Sequence, residues 1–205
     1  MSEIRRLVRT HLPHFKREKV DARVRRTRDA LGDALVNLMQ EKPFDSITVQ
    51  DVLDRANVGR STFYSHFTDK DDLLMSDADE FFEGMAMALS RHGDRSDRVF
   101  PVEEFFEHLI EAKTFVAALR NSGRMNDNME LAQGHFARGI ERRFAELPKG
   151  AMIPLPERSV RAFAHAGALL SLMKWWIDRG MKETPEEMDQ LFHRIVWGTS
   201  LPGVR

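Results

Sequence analysis

Ile47-Thr48-Val49-Gln50-Asp51-Val52-Leu53-Asp54-Arg55-Ala56-Asn57-Val58-Gly59-Arg60-Ser61-Thr62-Phe63-Tyr64-Ser65-His66-Phe67 holds the densest set of local structural signals in the chain. Thr48 and Asp51 have the spacing of a capping box, so a helix should begin at Val49. Val49, Val52 and Leu53 recur at helical spacing and point to a small core. Asn57 tolerates a left-handed backbone and is a natural residue on which to leave a helix. Gly59 serves as the N-cap of a second, short helix. Phe63 and Phe67 lie four residues apart and, with Val58 before them, should pin that helix inward. Arg60, Ser61, Thr62, Tyr64, Ser65 and His66 are then left to face outward or sideways.

Two short helices joined by a tight turn, the second with a polar outer face, are what a helix-turn-helix needs: one helix braces and the other lies in the DNA major groove. With its flanks, this stretch resembles the DNA-binding domain of the TetR (tetracycline-repressor) family of bacterial regulators. The resemblance is close over Arg23 to Leu74 and architectural beyond. It implies an all-α protein with an N-terminal three-helix DNA-binding domain and a C-terminal helical domain for ligand binding and dimerisation. It also implies a phosphate-contacting tyrosine at Tyr64 and a phosphate-binding lysine at Lys70. His66 stands where the family more often has a second tyrosine.

On this reading the DNA-facing set is Thr48, Arg60, Ser61, Thr62, Tyr64, Ser65, His66 and Lys70, with Arg25 and Arg26 from the preceding helix. Arg60 reads a guanine edge or contacts phosphate; a bidentate arginine–guanine pair discriminates bases by about 1–3 kcal/mol. The short hydroxyls of Ser61, Thr62 and Ser65 suit either base or backbone contacts. Tyr64, Lys70 and Thr48 at its N-cap would position the protein without specifying sequence.

Charge is distributed in keeping with this. The chain of 205 residues has a net charge of −1, yet residues 1–28 carry ten Lys/Arg against three Asp/Glu. That segment is therefore +7 and the rest −8, a basic end set before an acidic body. Residues 1–22 form a basic extension that either contacts phosphate or is a solvated tail. Cysteine is absent, which excludes disulfides and thiolate metal sites and fits a cytoplasmic location. No apolar run is long enough for a membrane span.

The pattern gives domains at 23–75 and 76–205. A first helix runs from Arg23 to Gln40 and stops before Pro43. Thr68 and Asp71 repeat the capping spacing, opening a helix from Asp69 to about Leu89 that links the domains. Val102 to Leu119 and Met125 to Leu147 read as helices, the second weakened by Gly134 and Gly139 at roughly 1 kcal/mol each. Pro148 to Pro156 reads as a loop. Glu157 to Gly180 is apolar on all sides, so it should be buried on more than one. Thr184-Pro185-Glu186-Glu187 combines N-cap, N1 proline and N3 glutamate, a strong helix start.

The last two helices would pair with their two-fold copies as a four-helix bundle, through Ala162, Ala166, Leu169, Met173, Met188, Leu191, Phe192 and Ile195. Phe81, Phe82, Met85, Phe105, Phe106, Leu109, Phe136, Phe163, Trp175 and Trp176 either line a pocket for an apolar or aromatic effector or make ordinary core and interface. His108, His135 and His165 either orient such an effector's polar group or are hydrogen-bonded core.

Catalytic signatures are missing: the sequence has no HExxH pair, phosphate loop, GxSxG elbow or GxGxxG turn, and no cofactor or metal is expected. The expected protein is a homodimeric, sequence-specific regulator, a repressor released from a double-stranded operator by a small molecule. The alternative is an adapter of the same fold that docks to a protein partner without reading DNA specifically.

Overall fold

A computed structural model describes residues 22–198, so the basic extension up to residue 21 lies outside the described residues. Among the described residues the regular structure is helical, without strands. The helices are α1 (Ala22–Glu41), α2 (Val49–Ala56), α3 (Arg60–Tyr64), α4 (Lys70–Arg91), α5 (Val102–Glu111), α6 (Lys113–Asn121), α7 (Met125–Glu146), α8 (Pro148–Ala151), α9 (Leu155–Asp178) and α10 (Pro185–Trp197). A 3₁₀ turn, Phe44–Ser46, precedes α2. No described helix is long and apolar enough to cross a membrane.

The chain folds as two compact units that do not follow its linear order. Residues 22–81 are joined by Ala112–Asn128, while Phe82–Glu111 pack with residues 129–198. The reason is a break the periodicity does not reveal. Val102 to Leu119 is two helices, with Ala112 as a turn between α5 and α6. Leu119 then enters the core of the first unit, where Phe115, Ala118 and Met125 also pack.

That core is built from Leu31, Leu35 and Leu38 of α1, Phe44 and Ile47 of the turn, Val52 and Leu53 of α2, Phe63 and Phe67, and Leu73 and Leu74 of α4. Each is buried, and full burial of such a side chain is favourable by about 1.5–3 kcal/mol relative to exposure. The Thr48–Asp51 capping box forms as expected, and Asn57 ends α2 in the left-handed region at φ 53°. At α4 the cap falls one residue later than the spacing suggests, at Asp69, with the helix starting at Lys70. Asp69 accepts from the Asp72 amide at 2.8 Å, and the Asp72 carboxylate accepts from the Thr68 amide at 2.8 Å.

The second unit has an aromatic core. Phe136 lies 4.3 Å from Phe100, 5.2 Å from Phe105 and 5.6 Å from Phe82, measured between ring centres. Phe106 packs on Trp176 at 4.7 Å, and the Trp176 indole donates to the Glu183 carbonyl. Gly139 has a packing purpose. A Cβ there would sit 2.6 Å from the Ala86 carbonyl oxygen, so the glycine permits a close crossing of α4 and α7. Gly134 has only the Arg138 side chain nearby.

The segment 92–101 is polar in sequence but firmly held. Buried Arg143 donates to the carbonyls of Asp94, Ser96 and Arg98. From α10, Asp189 accepts from Arg98, His193 accepts from the Val99 amide, and Trp197 donates to the Asp97 carbonyl. Two sequence boundaries are corrected nearby. Pro148–Ala151 is a short helix rather than loop, and α9 starts at Leu155 because prolines fit a first helical turn.

Candidate nucleic-acid interface

The geometry rests on α3. Gly59 is its N-cap, and Phe63 is fully buried against Phe67 at 5.7 Å between ring centres. With those two rings fixed inward, Arg60, Ser61, Thr62, Tyr64 and Ser65 are exposed and His66 is half-buried. Tyr64 is 52% exposed although its ring edge touches Phe63, which leaves the hydroxyl on a braced arm. The Ser65 hydroxyl donates to the Thr62 carbonyl at 2.7 Å. His66 sets its ring against the edge of Phe67.

The helix that supports α3 is itself locked. The Thr48 hydroxyl accepts from the Asp51 amide and donates to its carboxylate at 2.7 Å, so this side chain is used in the cap. The Thr48 amide, hydroxyl and Lys42 together hold the Asp51 carboxyl well below its ordinary range. Arg55 of α2 forms a two-pronged pair with Glu41 of α1 at 2.8 and 2.7 Å. Its attachment lowers the Glu41 carboxyl.

Lys70 differs most from its sequence reading. Its ammonium donates to the carbonyls of Phe44 and Ile47, both at 2.7 Å, and lies 4.5 Å from the Phe44 ring centre. An ammonium has three donors, and here they close the 3₁₀ turn ahead of α2. In this arrangement the lysine clasps that turn.

Arg25 and Arg26 are exposed near the start of α1, and Arg26 donates to the Ala22 carbonyl. Arg28 turns inward, to the Ser76 hydroxyl at 2.6 Å and over the Phe67 ring. Sequence reasoning also missed Arg124, which is far from this region in the chain. Its guanidinium lies 4.0 Å from the Phe44 ring centre and pairs with Asp71 and, at 3.3 Å, with Asp45.

Two matches fit this arrangement. A model described as bacterial regulatory proteins, tetR family, matches residues 31–76, and one described as transcriptional regulator C-terminal region matches residues 101–198. The chain belongs to the TetR family. That family consists of transcriptional regulators and not enzymes. An HTH-type transcriptional regulator of Bacillus subtilis (strain 168), YxbF, is 39% identical over 62 residues, covering 30% of this chain and 16% of that protein. The chain thus spans well under half of the curated relatives it matches. A TetR transcriptional regulator from Streptococcus agalactiae 2603V is 25% identical, with a TM-score of 0.59 over 86% of this chain and 96% of that one. RolR, solved with resorcinol, is 21% identical, with a TM-score of 0.51 over 89% of this chain and 90% of that one.

Elsewhere the structure sorts the sequence candidates differently. Ala162, Ala166, Leu169, Met173, Met188 and Phe192 are sealed inside the chain's own second unit and are not available to a partner. Because α9 is apolar all round, periodicity did not say which face turns inward. The outward face carries Val160, Phe163 and Trp175, and Ile195 is exposed on α10 beside half-buried Leu191. Phe163 and Trp175 therefore do not join the proposed pocket. Met85, Phe105, Phe106, Leu109, Phe136 and Trp176 are buried together in the aromatic core, while Phe81 and Phe82 are half-buried. Burial pushes the His108 imidazole down to about 4. It also lowers His165, and His135 is buried.

Proposed function

We propose that this TetR-family chain is a sequence-specific DNA-binding regulator whose α3 enters the major groove of an operator with approximate two-fold symmetry. The observation that carries this is the row Arg60, Ser61, Thr62, Tyr64 and Ser65, exposed on a helix whose Phe63 and Phe67 are locked into a core. Val58 also packs on that core, so the chain on both sides of the polar row is anchored. Arg60 supplies base reading, and Tyr64 with Arg25 and Arg26 supplies backbone contacts.

The working form in this proposal is a cytoplasmic homodimer joined through the outer face of α9 and α10. Phe163 is 57% exposed and Trp175 42%, large apolar surfaces that a monomer would leave in water. Repression relieved by an apolar or aromatic effector is the last part of the proposal. The resorcinol bound by RolR supports that ligand class. Its site would be among Phe82, Phe105 and Phe136, whose close-packed rings would have to part to admit it. Such a ligand acts only if it favours one conformational state over the other.

Selection of bound sequences from a random duplex pool tests the DNA-reading claim. An enriched inverted repeat with half-sites about one helical turn apart is the expected result. A pool that stays random, with the protein folded and dimeric, rejects it in favour of the adapter reading.

A further inference from the structure

We infer that Arg124 is a positioning residue for DNA binding, acting by neutralising two carboxylates beside the reading helices. This rests on the DNA-binding reading above. Arg124 follows α6 and belongs to the same compact unit as α1 to α3. Its guanidinium grips both sides of Lys70's surroundings. It pairs with Asp71, the next residue in the chain, and with Asp45, whose neighbour Phe44 holds the Lys70 ammonium through its carbonyl. The Phe44 ring is in reach of both cations, its centre 4.0 Å from Arg124 and 4.5 Å from Lys70.

The charges in this cluster are Lys70, Arg124, Asp45 and Asp71, and they sum to zero. The cluster adjoins the Thr48 cap of α2 and the first turn of α4. The Asp45 side chain is 81% exposed. Without the guanidinium, two exposed carboxylates would stand unpaired in the unit that carries α3, with only Lys70 to offset them, and Lys70 is already tied to carbonyls. A surface ion pair contributes little to folding in general. Its effect on a polyanion's approach is larger, because each unbalanced charge changes the counterion exchange on binding.

The guanidinium is charged at any ordinary pH, so the pairing does not depend on its titration. Nothing in the sequence spacing announces this, since 79 residues separate Asp45 from Arg124.

The test uses the full-length protein and the operator that the wild type selects. Arg124→Gln is expected to bind roughly tenfold more weakly at low salt, with the gap narrowing as salt rises. Arg124→Lys should keep most of the affinity. Arg124→Gln combined with Asp71→Asn, or with Asp45→Asn, should recover a large part of the loss. Recovery separates charge from packing, because removing a second partner cannot repair a merely structural gap. Thermal melts of each variant confirm that it is folded. The inference is overturned if Arg124→Gln binds like the wild type, or if the double variants stay as weak as the single one. If Arg124→Gln does not fold, Arg124→Lys with and without Asp71→Asn carries the decision: lost affinity in Arg124→Lys that the second change leaves unrepaired also overturns it. A wild-type protein that selects no sequence refutes the DNA-binding reading itself, a distinct result from an indifferent Arg124.

Discussion

Lys70 donates to the carbonyl oxygen of Phe44 at 2.7 Å while its ammonium lies over the same residue's ring. One residue thus binds the lysine by both its backbone and its side chain. The turn that sets the start of α2 is closed by this contact and by the parallel bond to Ile47. Lys70→Ala should therefore lower folding stability by about 1–2 kcal/mol, from lost charge-assisted bonds and the cation–π contact. Urea unfolding measures it. A lysine that served only to touch phosphate would leave the unfolding midpoint unchanged.

Gly139 and Gly134 are both glycines inside α7, yet alanine should act oppositely at the two. Helix propensity favours alanine by roughly 1 kcal/mol at either. At Gly139 the new methyl would lie 2.6 Å from the Ala86 carbonyl oxygen, so α4 and α7 must separate there. Overpacking of that kind costs about 1–3 kcal/mol. At Gly134 the nearest atom is the flexible end of Arg138, at 3.5 Å. Thermal melts should show Gly134→Ala stabilised and Gly139→Ala destabilised.

His108 makes stability depend on pH. Burial lowers its pKa in the folded chain to about 4, against an ordinary value near 6.5. The unfolded chain then binds a proton first as pH falls. Stability contributed by the neutral imidazole is complete above about 6.5 and is lost progressively between 6.5 and 4. His108→Gln, which cannot titrate, should flatten the fall in melting temperature across that window. An unchanged slope would show that His108 is not its source.

The outer face of α9 can be tested with one charge. Phe163→Glu places a carboxylate where Phe163 is 57% exposed in the chain, so its own fold should be unharmed. Sedimentation should show a dimer for the wild type and mostly monomer for the variant. A variant that still dimerises would move the interface elsewhere.

Local chemistry made the reading head legible. Thr48 and Asp51, Asn57, Gly59, Phe63 and Phe67 each act within a few residues of themselves, and the structure has them as the spacing implies. The Thr184 cap of α10 was legible for the same reason. What escaped were properties fixed at long range. Ala112 has no breaker's side chain, so the return of α6 to the first unit left no local mark. Arg124 looks like any surface arginine until Phe44, Asp45 and Asp71 are brought to it. For α9, apolar residues on every side hid which face was interior, and Ala162, Ala166, Leu169 and Met173 lie on it.

Whether the exposed side of α3 reads base pairs turns on Arg60. Sequence selection from a random duplex pool should be run in parallel on the wild type and Arg60→Ala. One base pair in each half-site should lose its preference, by about 1–3 kcal/mol, while the other positions and the half-site spacing persist. An Arg60→Ala profile identical to the wild type's, with affinity lowered evenly across sequences, would contradict it and make Arg60 a phosphate contact.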